Sequence, residues 1–127
     1  MTNDVPLMVF YSWLEERAHD VRRIEKQALD ELERKHTQDY RDGMRRKAEL
    51  LAGLPKASIP LVSGLPEDAA QAIQSGLWRF ARNASNALSL DSVFYMSALL
   101  YPEDYREGEP NDLEAFLEDL RARFPQA

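Results

Sequence analysis

The sequence predicts an all-α fold: a long N-terminal helix in an antiparallel helical hairpin, with two shorter helices completing an elongated four-helix bundle. Three observations predict it. No proline interrupts the chain between Pro6 and Pro55, a run built mostly of strong helix formers. Apolar residues recur at helical spacing in four stretches, and none alternates with the period of two that a half-buried strand requires. A connector with two prolines and a glycine, residues 54–65, separates the two longest helical patterns. With 127 residues and 44% hydrophobic side chains, the chain fits one domain, 1–127, able to bury a core.

The first helix is placed at 6–53, since Pro6 is tolerated in a first turn and Gly53 with Pro55 makes a stop signal. Such a helix would be ~70 Å long. The radius of gyration of a compact chain of this length is only ~14 Å. The helix must therefore protrude, break or find a partner. Leu7, Leu14, Val21 and Ala28 are seven apart, with Tyr11, Ala18 and Leu32 four residues after three of them. This is a coiled-coil-like seam, interrupted by a polar residue only at Glu25. Beyond Ala28 the apolar steps become four: Leu32, His36, Tyr40, Met44, Ala48. Each step of four turns the stripe ~40° around the helix. If the helix breaks, the expected place is Asp42-Gly43, because glycine costs ~1 kcal/mol in a helix interior.

Residues 54–65 read as a connector whose Ile59, Leu61 and Val62 tuck against the helices. The second helix, 66–89, starts at Pro66, with Glu67 and Asp68 suited to its dipole, and buries Ala69, Ile73, Leu77, Phe80, Ala84 and Leu88. Asp91 can cap a third helix, 91–101, which is apolar nearly all round and so expected at the centre. No glycine or proline separates the second helix from the third, so they can also run on as one. An acidic loop, 102–110, leads to a fourth helix, 111–124, opened by a capping-box pattern of Asn111 and Glu114 and burying Leu113, Phe116, Leu117 and Leu120. The second helix would run back along the later half of the first, and the third and fourth would thicken its N-terminal end.

Charge divides the chain unevenly. Residues 1–90 hold thirteen acidic and thirteen basic side chains, whereas residues 91–127 hold nine acids against Arg106, Arg121 and Arg123. The net charge of −6 therefore lies in the last third. Cysteine is absent, which excludes disulfides, thiolate nucleophiles and zinc–thiolate sites and suits a reducing cytoplasm. The N-terminal residues lack the pattern of a secretory signal, and the apolar run Val5–Leu14 is too short to span a bilayer.

Both histidines lie in E-x-x-H, at Glu16/His19 and Glu33/His36, a motif that supplies ligands in di-iron bundles when it occurs on facing helices. On one helix the two histidines would stand ~25 Å apart. They cannot share a metal within one chain, so neither a metal nor a cofactor is expected. His36 reads as an interface residue on the seam. Arg41, Arg45, Arg46 and Lys47 interleave with Asp39, Asp42 and Glu49, which reads as a self-paired, solvated face rather than a nucleic-acid interface. Arg79 and Arg82 read as partners of acids on the first helix. Trp13, Trp78, Phe94 and Tyr95 read as core. No nucleophile elbow, phosphate-binding glycine loop or dinucleotide fingerprint is present.

The expectation is a non-catalytic protein–protein interaction module: an adaptor, a chaperone-like subunit or an acidic inhibitor of the immunity kind. Its surfaces would be the seam of Leu7, Tyr11, Leu14, Ala18, Val21, Ala28, Leu32 and His36, which would also form a homodimer, and the acidic residues Glu103, Asp104, Glu107 and Glu109, which would meet a basic partner. The alternatives are a metal-dependent helical enzyme using the E-x-x-H motifs and a nucleic-acid-binding regulator using Arg41–Lys47.

Overall fold

The computed structural model describes residues 4–125, and these form helices and turns with no strand. Six helices follow one another: α1 (Asp4–Glu33), α2 (Thr37–Ala52), α3 (Leu54–Val62), α4 (Glu67–Ser89), α5 (Val93–Ala98) and α6 (Asp112–Arg123). The all-α bundle of the sequence reading is correct, but its long first helix is two helices folded against each other.

The break falls at residues 34–36, not at Gly43. The N–H of His36 donates to the carbonyl of Glu31 (2.8 Å), and that of Lys35 to Leu32 (2.9 Å). This is a Schellman motif with Lys35 in the left-handed position, φ +67°. A lysine there costs about 1 kcal/mol. Packing of α2 on α1 outweighs that cost. Gly43 lies inside α2, where an added Cβ would stand 2.7 Å from the Cβ of Ala28. The glycine brings the two helices together rather than ending one. Nor is Gly53 a left-handed terminator: its φ of −88° is helical, and it joins α2 directly to α3, so the expected connector is mostly helix. Of its apolar residues, Val62 is buried and Leu61 half-buried, while Ile59 faces solvent.

A second Schellman motif separates α4 from α5. Ser92 N–H donates to Ala87 (3.2 Å) and Asp91 N–H to Leu88 (3.0 Å), with Asp91 at φ +49°. Ser92, not Asp91, caps α5, its hydroxyl accepting from the N–H of Tyr95. This third element of the sequence reading is short and peripheral instead of central. Within α5 only Met96 is buried, and Phe94 is 73% exposed.

The core runs through Leu7, Phe10, Tyr11, Leu14, Ala18, Val21 and Ala28 of α1, Met44, Ala48 and Leu51 of α2, and Ala69, Ile73, Leu77, Phe80 and Ala84 of α4, and is closed by Leu113, Leu117 and Leu120 of α6. α2 lies against α1 and α4, and α6 packs on α1 and α4. The ring of Phe116 crosses Gly76 and meets Phe80 edge-on at 5.5 Å. The Tyr11 hydroxyl lies within donating distance of the carbonyls of Leu120 (3.1 Å) and Phe124 (2.8 Å), which ties down the last turn of α6. Six of the eight seam residues are thus taken up by this chain's own core. Only Leu32 and His36 remain exposed, so the seam is not a continuous partner surface.

Gly43→Ala tests the close approach of α1 and α2. Helix propensity alone would stabilise the variant by about 1 kcal/mol. Overpacking against Ala28, whose Cβ cannot rotate away, reverses the sign. A net loss of roughly 1–3 kcal/mol is expected in urea denaturation. A more stable variant would show that the helices do not touch there.

Candidate functional site

The seam's polar residue, Glu25, carries the most organised cluster of polar side chains in the protein. Its carboxylate pairs with Lys47 of α2 at 2.8 Å and accepts a hydrogen bond from the Tyr101 hydroxyl at 2.6 Å. Lys47 is fully buried. Its ammonium also donates to the carbonyl of Ser97 (3.1 Å) and stands 5.0 Å from the centroid of the Tyr101 ring. All the partners of this buried cation thus come from distant parts of the sequence, α1, α5 and the segment after α5.

One turn earlier on α1, Arg22 makes a two-pronged contact with Glu114 of α6, Nε to Oε2 at 3.0 Å and Nη2 to Oε1 at 2.6 Å. Its guanidinium also donates to the hydroxyls of Tyr101 (3.3 Å) and Tyr105 (3.4 Å) and to the carbonyl of Glu109 (3.3 Å). Glu114 closes the capping box of α6: it accepts from the N–H of Asn111 (2.8 Å) while Asn111 Oδ1 accepts from the N–H of Glu114 (2.9 Å). One arginine thereby fastens the acidic loop and the start of α6 to the first helix.

Burial pushes the Lys47 ammonium below its ordinary range, an effect opposed by Glu25. Burial, and then the contact with Glu25, pushes the Tyr101 phenol up. The hydrogen bond from Arg22 holds Glu114 below the usual glutamate value. Chemically the network is a clasp. Lys47 has no surface through which a substrate could reach its amine, and Glu25 and Tyr101 are engaged by one another.

The acidic loop is held by its backbone and is free at three of its four acidic side chains; the fourth, Glu109, is engaged within the loop. The Tyr105 hydroxyl donates to Glu109 (2.7 Å), its ring meets Tyr101 edge-on at 4.7 Å, and the N–H of Arg106 donates to the side chain of Glu109 (2.8 Å). Glu103, Asp104 and Glu107 are exposed and have no hydrogen-bonded or ionic partner among the described residues. Beside the loop, Leu90, Phe94 and Tyr95 form an exposed apolar corner, 65%, 73% and 54% accessible, with Phe94 and Tyr95 edge-on at 5.5 Å. A groove lined by Leu90, Tyr95, Leu99, Pro102 and Asp112 runs from this corner to the foot of the loop. Asp112 sits there with its carboxyl raised by burial and by the nearby Asp104, against the lowering effect of Arg79. Trp78 is also exposed, so of the four aromatics read as core only Trp13 is partly buried.

The basic run of α2 is dispersed by the fold. Lys47 points inward, Arg45 pairs with Asp91, and Arg41 and Arg46 remain exposed. Glu33 and His36 straddle the end of α1, so the second E-x-x-H no longer spans one helical face. His36 instead lies beside Glu31 and Asp39, its Nδ1 3.2 Å from Glu31 Oε2 and 3.9 Å from Asp39 Oδ2. The hydrogen bond to His36 lowers the Glu31 carboxyl, and that carboxylate in turn raises Asp39. No helix among the described residues is long and apolar enough to cross a membrane. No protein-family model, curated protein or solved structure matches the chain.

Two measurements check the clasp. Lys47→Met leaves a buried carboxylate and should cost about 3–5 kcal/mol, whereas adding Glu25→Gln to it should restore most of that loss. Equal losses in the single and double variants would deny the coupling. Glu114 has a lowered folded value, so its contribution is present above the ordinary 4.5 and is lost as pH falls through the folded value. Urea midpoints followed downward from pH 7 should therefore fall more steeply for the parent than for Glu114→Gln.

Proposed function

We propose that this chain is a non-catalytic protein–protein interaction module that presents its acidic C-terminal third, with the adjoining aromatic corner, to a basic partner. The observation that carries the reading is the contrast in how carboxylates are used. Several acids of the bundle are drawn into pairs: Asp20 with Arg17, Glu25 with Lys47, Asp91 with Arg45 and Glu114 with Arg22. Glu103, Asp104 and Glu107 are not, on a loop whose backbone is fastened by Arg22 and Tyr105. Pre-organised, unpaired like charges attract a partner of opposite sign and speed its encounter. The exposed Leu90, Phe94 and Tyr95 supply the apolar area that gives such a complex its lifetime. An adaptor, a chaperone-like subunit and an acidic inhibitor would all work this way. The cysteine-free composition favours a cytoplasmic setting.

The aromatic corner replaces the first-helix seam as the apolar part of the surface, because the seam's large residues are spent in the core. Self-association, if it occurs, would use exposed residues such as Val5, Met8 and Val9 on α1 or the corner itself.

Affinity purification from the source cell, with the triple reversal Glu103→Lys, Asp104→Lys and Glu107→Lys run in parallel, tests the reading. The expected partner is basic, is released by added salt and is lost by the reversal while the variant keeps its helical content. Phe94→Ala with Tyr95→Ala should speed its dissociation. A partner held equally by parent and reversal would remove the acidic loop from the function. Light scattering on the same samples reports any homodimer.

A further inference from the structure

We propose that Glu31, His36 and Asp39 form a binding site for a divalent transition-metal cation, with zinc the best fit, at the turn between α1 and α2. The three donor atoms lie within 4.8 Å of one another. Donors on a tetrahedral zinc at ~2.0–2.1 Å stand about 3.3 Å apart. Two observed spacings bracket that value: 3.2 Å from His36 Nδ1 to Glu31 Oε2, and 3.9 Å from the same nitrogen to Asp39 Oδ2. Small side-chain rotations complete the geometry, and exposure leaves the fourth position to water. One imidazole with two carboxylates favours zinc over magnesium or calcium, which prefer all-oxygen shells.

Hydrogen-bond counting points the same way. Nδ1 of His36 carries at most one proton, and Glu31 Oε2 is placed to receive it. Asp39 Oδ2 faces the same nitrogen at 3.9 Å, too far to accept that proton. Arg34 engages the other oxygen of Glu31 at 3.4 Å, which leaves Oε2 to the cluster. A metal satisfies both carboxylates at once, where a proton serves only one.

The ligands are E-x4-H-x2-D and not the E-x-x-H of the sequence pattern, since Glu33 is outside the cluster. The Schellman turn sets this spacing by bonding the N–H of His36 to the carbonyl of Glu31. With one ligand at the end of α1 and two at the start of α2, the cation would brace the hairpin that Gly43 and Ala28 bring together. Arg34 and Lys35 lie close by and oppose a second positive charge, so moderate affinity is expected.

Calorimetric titration of the full chain with zinc chloride, after chelator treatment, tests the site. The expected result is saturable binding of one ion per chain with a micromolar dissociation constant, weakened at least tenfold in His36→Ala and in Asp39→Asn. His19→Ala should bind as the parent does, and the triple loop reversal likewise. Zinc should raise the melting temperature of the parent, and raise that of Asp39→Asn by less at the same zinc concentration. Asp39 is exposed, so that variant keeps the test open if His36→Ala folds poorly. Absence of saturable binding, or binding that survives both substitutions, would overturn the proposal.

Discussion

The ion pair between Glu25 and Lys47 is the constraint on which the rest of the structure depends. A fully buried ammonium is tolerable only if its charge and its hydrogen bonds are matched. Here the matching groups are the Glu25 carboxylate, the Ser97 carbonyl and the Tyr101 ring. Satisfying Lys47 therefore fixes three things together: α2 must fold back on α1, α5 must lie across α2, and the chain beyond α5 must return to α1. A packing that placed α2 elsewhere would strand a charge in the core. Hydrophobic stripes alone do not discriminate so strongly, because apolar faces pair in several registers.

The clasp passes its order outward to the surface. Tyr101 links it to Arg22, and Arg22 holds Glu114, Tyr105 and the carbonyl of Glu109. Interior electrostatics and the displayed acidic loop are thus parts of one hydrogen-bonded chain. The uneven charge of the sequence has a structural counterpart: Glu25 and Glu114 are paired within the bundle, whereas Glu103, Asp104 and Glu107, close together on one loop, point into solvent. The reading as a partner surface rests on that difference.

The legible parts of the sequence were the local ones. The stripes of α4 and α6 and the capping box at Asn111 depend on residues three and four apart, which sit together in any helix. The change of spacing after Ala28 marked where the first helix ends, yet the glycine rule pointed to Gly43. Its reason is that Lys35 and Asp91 both adopt left-handed conformations, which tertiary packing imposes and no composition signal announces. Gly43 carried the opposite meaning because its lack of a Cβ serves the contact with Ala28. Helix α5 misled for a different reason. A stretch of six residues makes less than two turns, so its apolar content cannot show which side is covered. Glu25 was visible as the polar break in the seam, but its partner lies on another helix and was hidden in a basic run that read as a solvated face. The Glu31, His36 and Asp39 cluster was likewise illegible, because its spacing crosses a turn and not a helical face.

Amine acylation followed by peptide mass spectrometry tests the central claim most directly. The chain has four lysines: Lys26, Lys35 and Lys56 are exposed, and Lys47 is fully buried. Under native conditions the first three should be labelled rapidly while Lys47 stays unmodified, becoming reactive only when urea unfolds the chain. Labelling of Lys47 in the folded protein at the rate of the other three would contradict the buried pair and the architecture built on it.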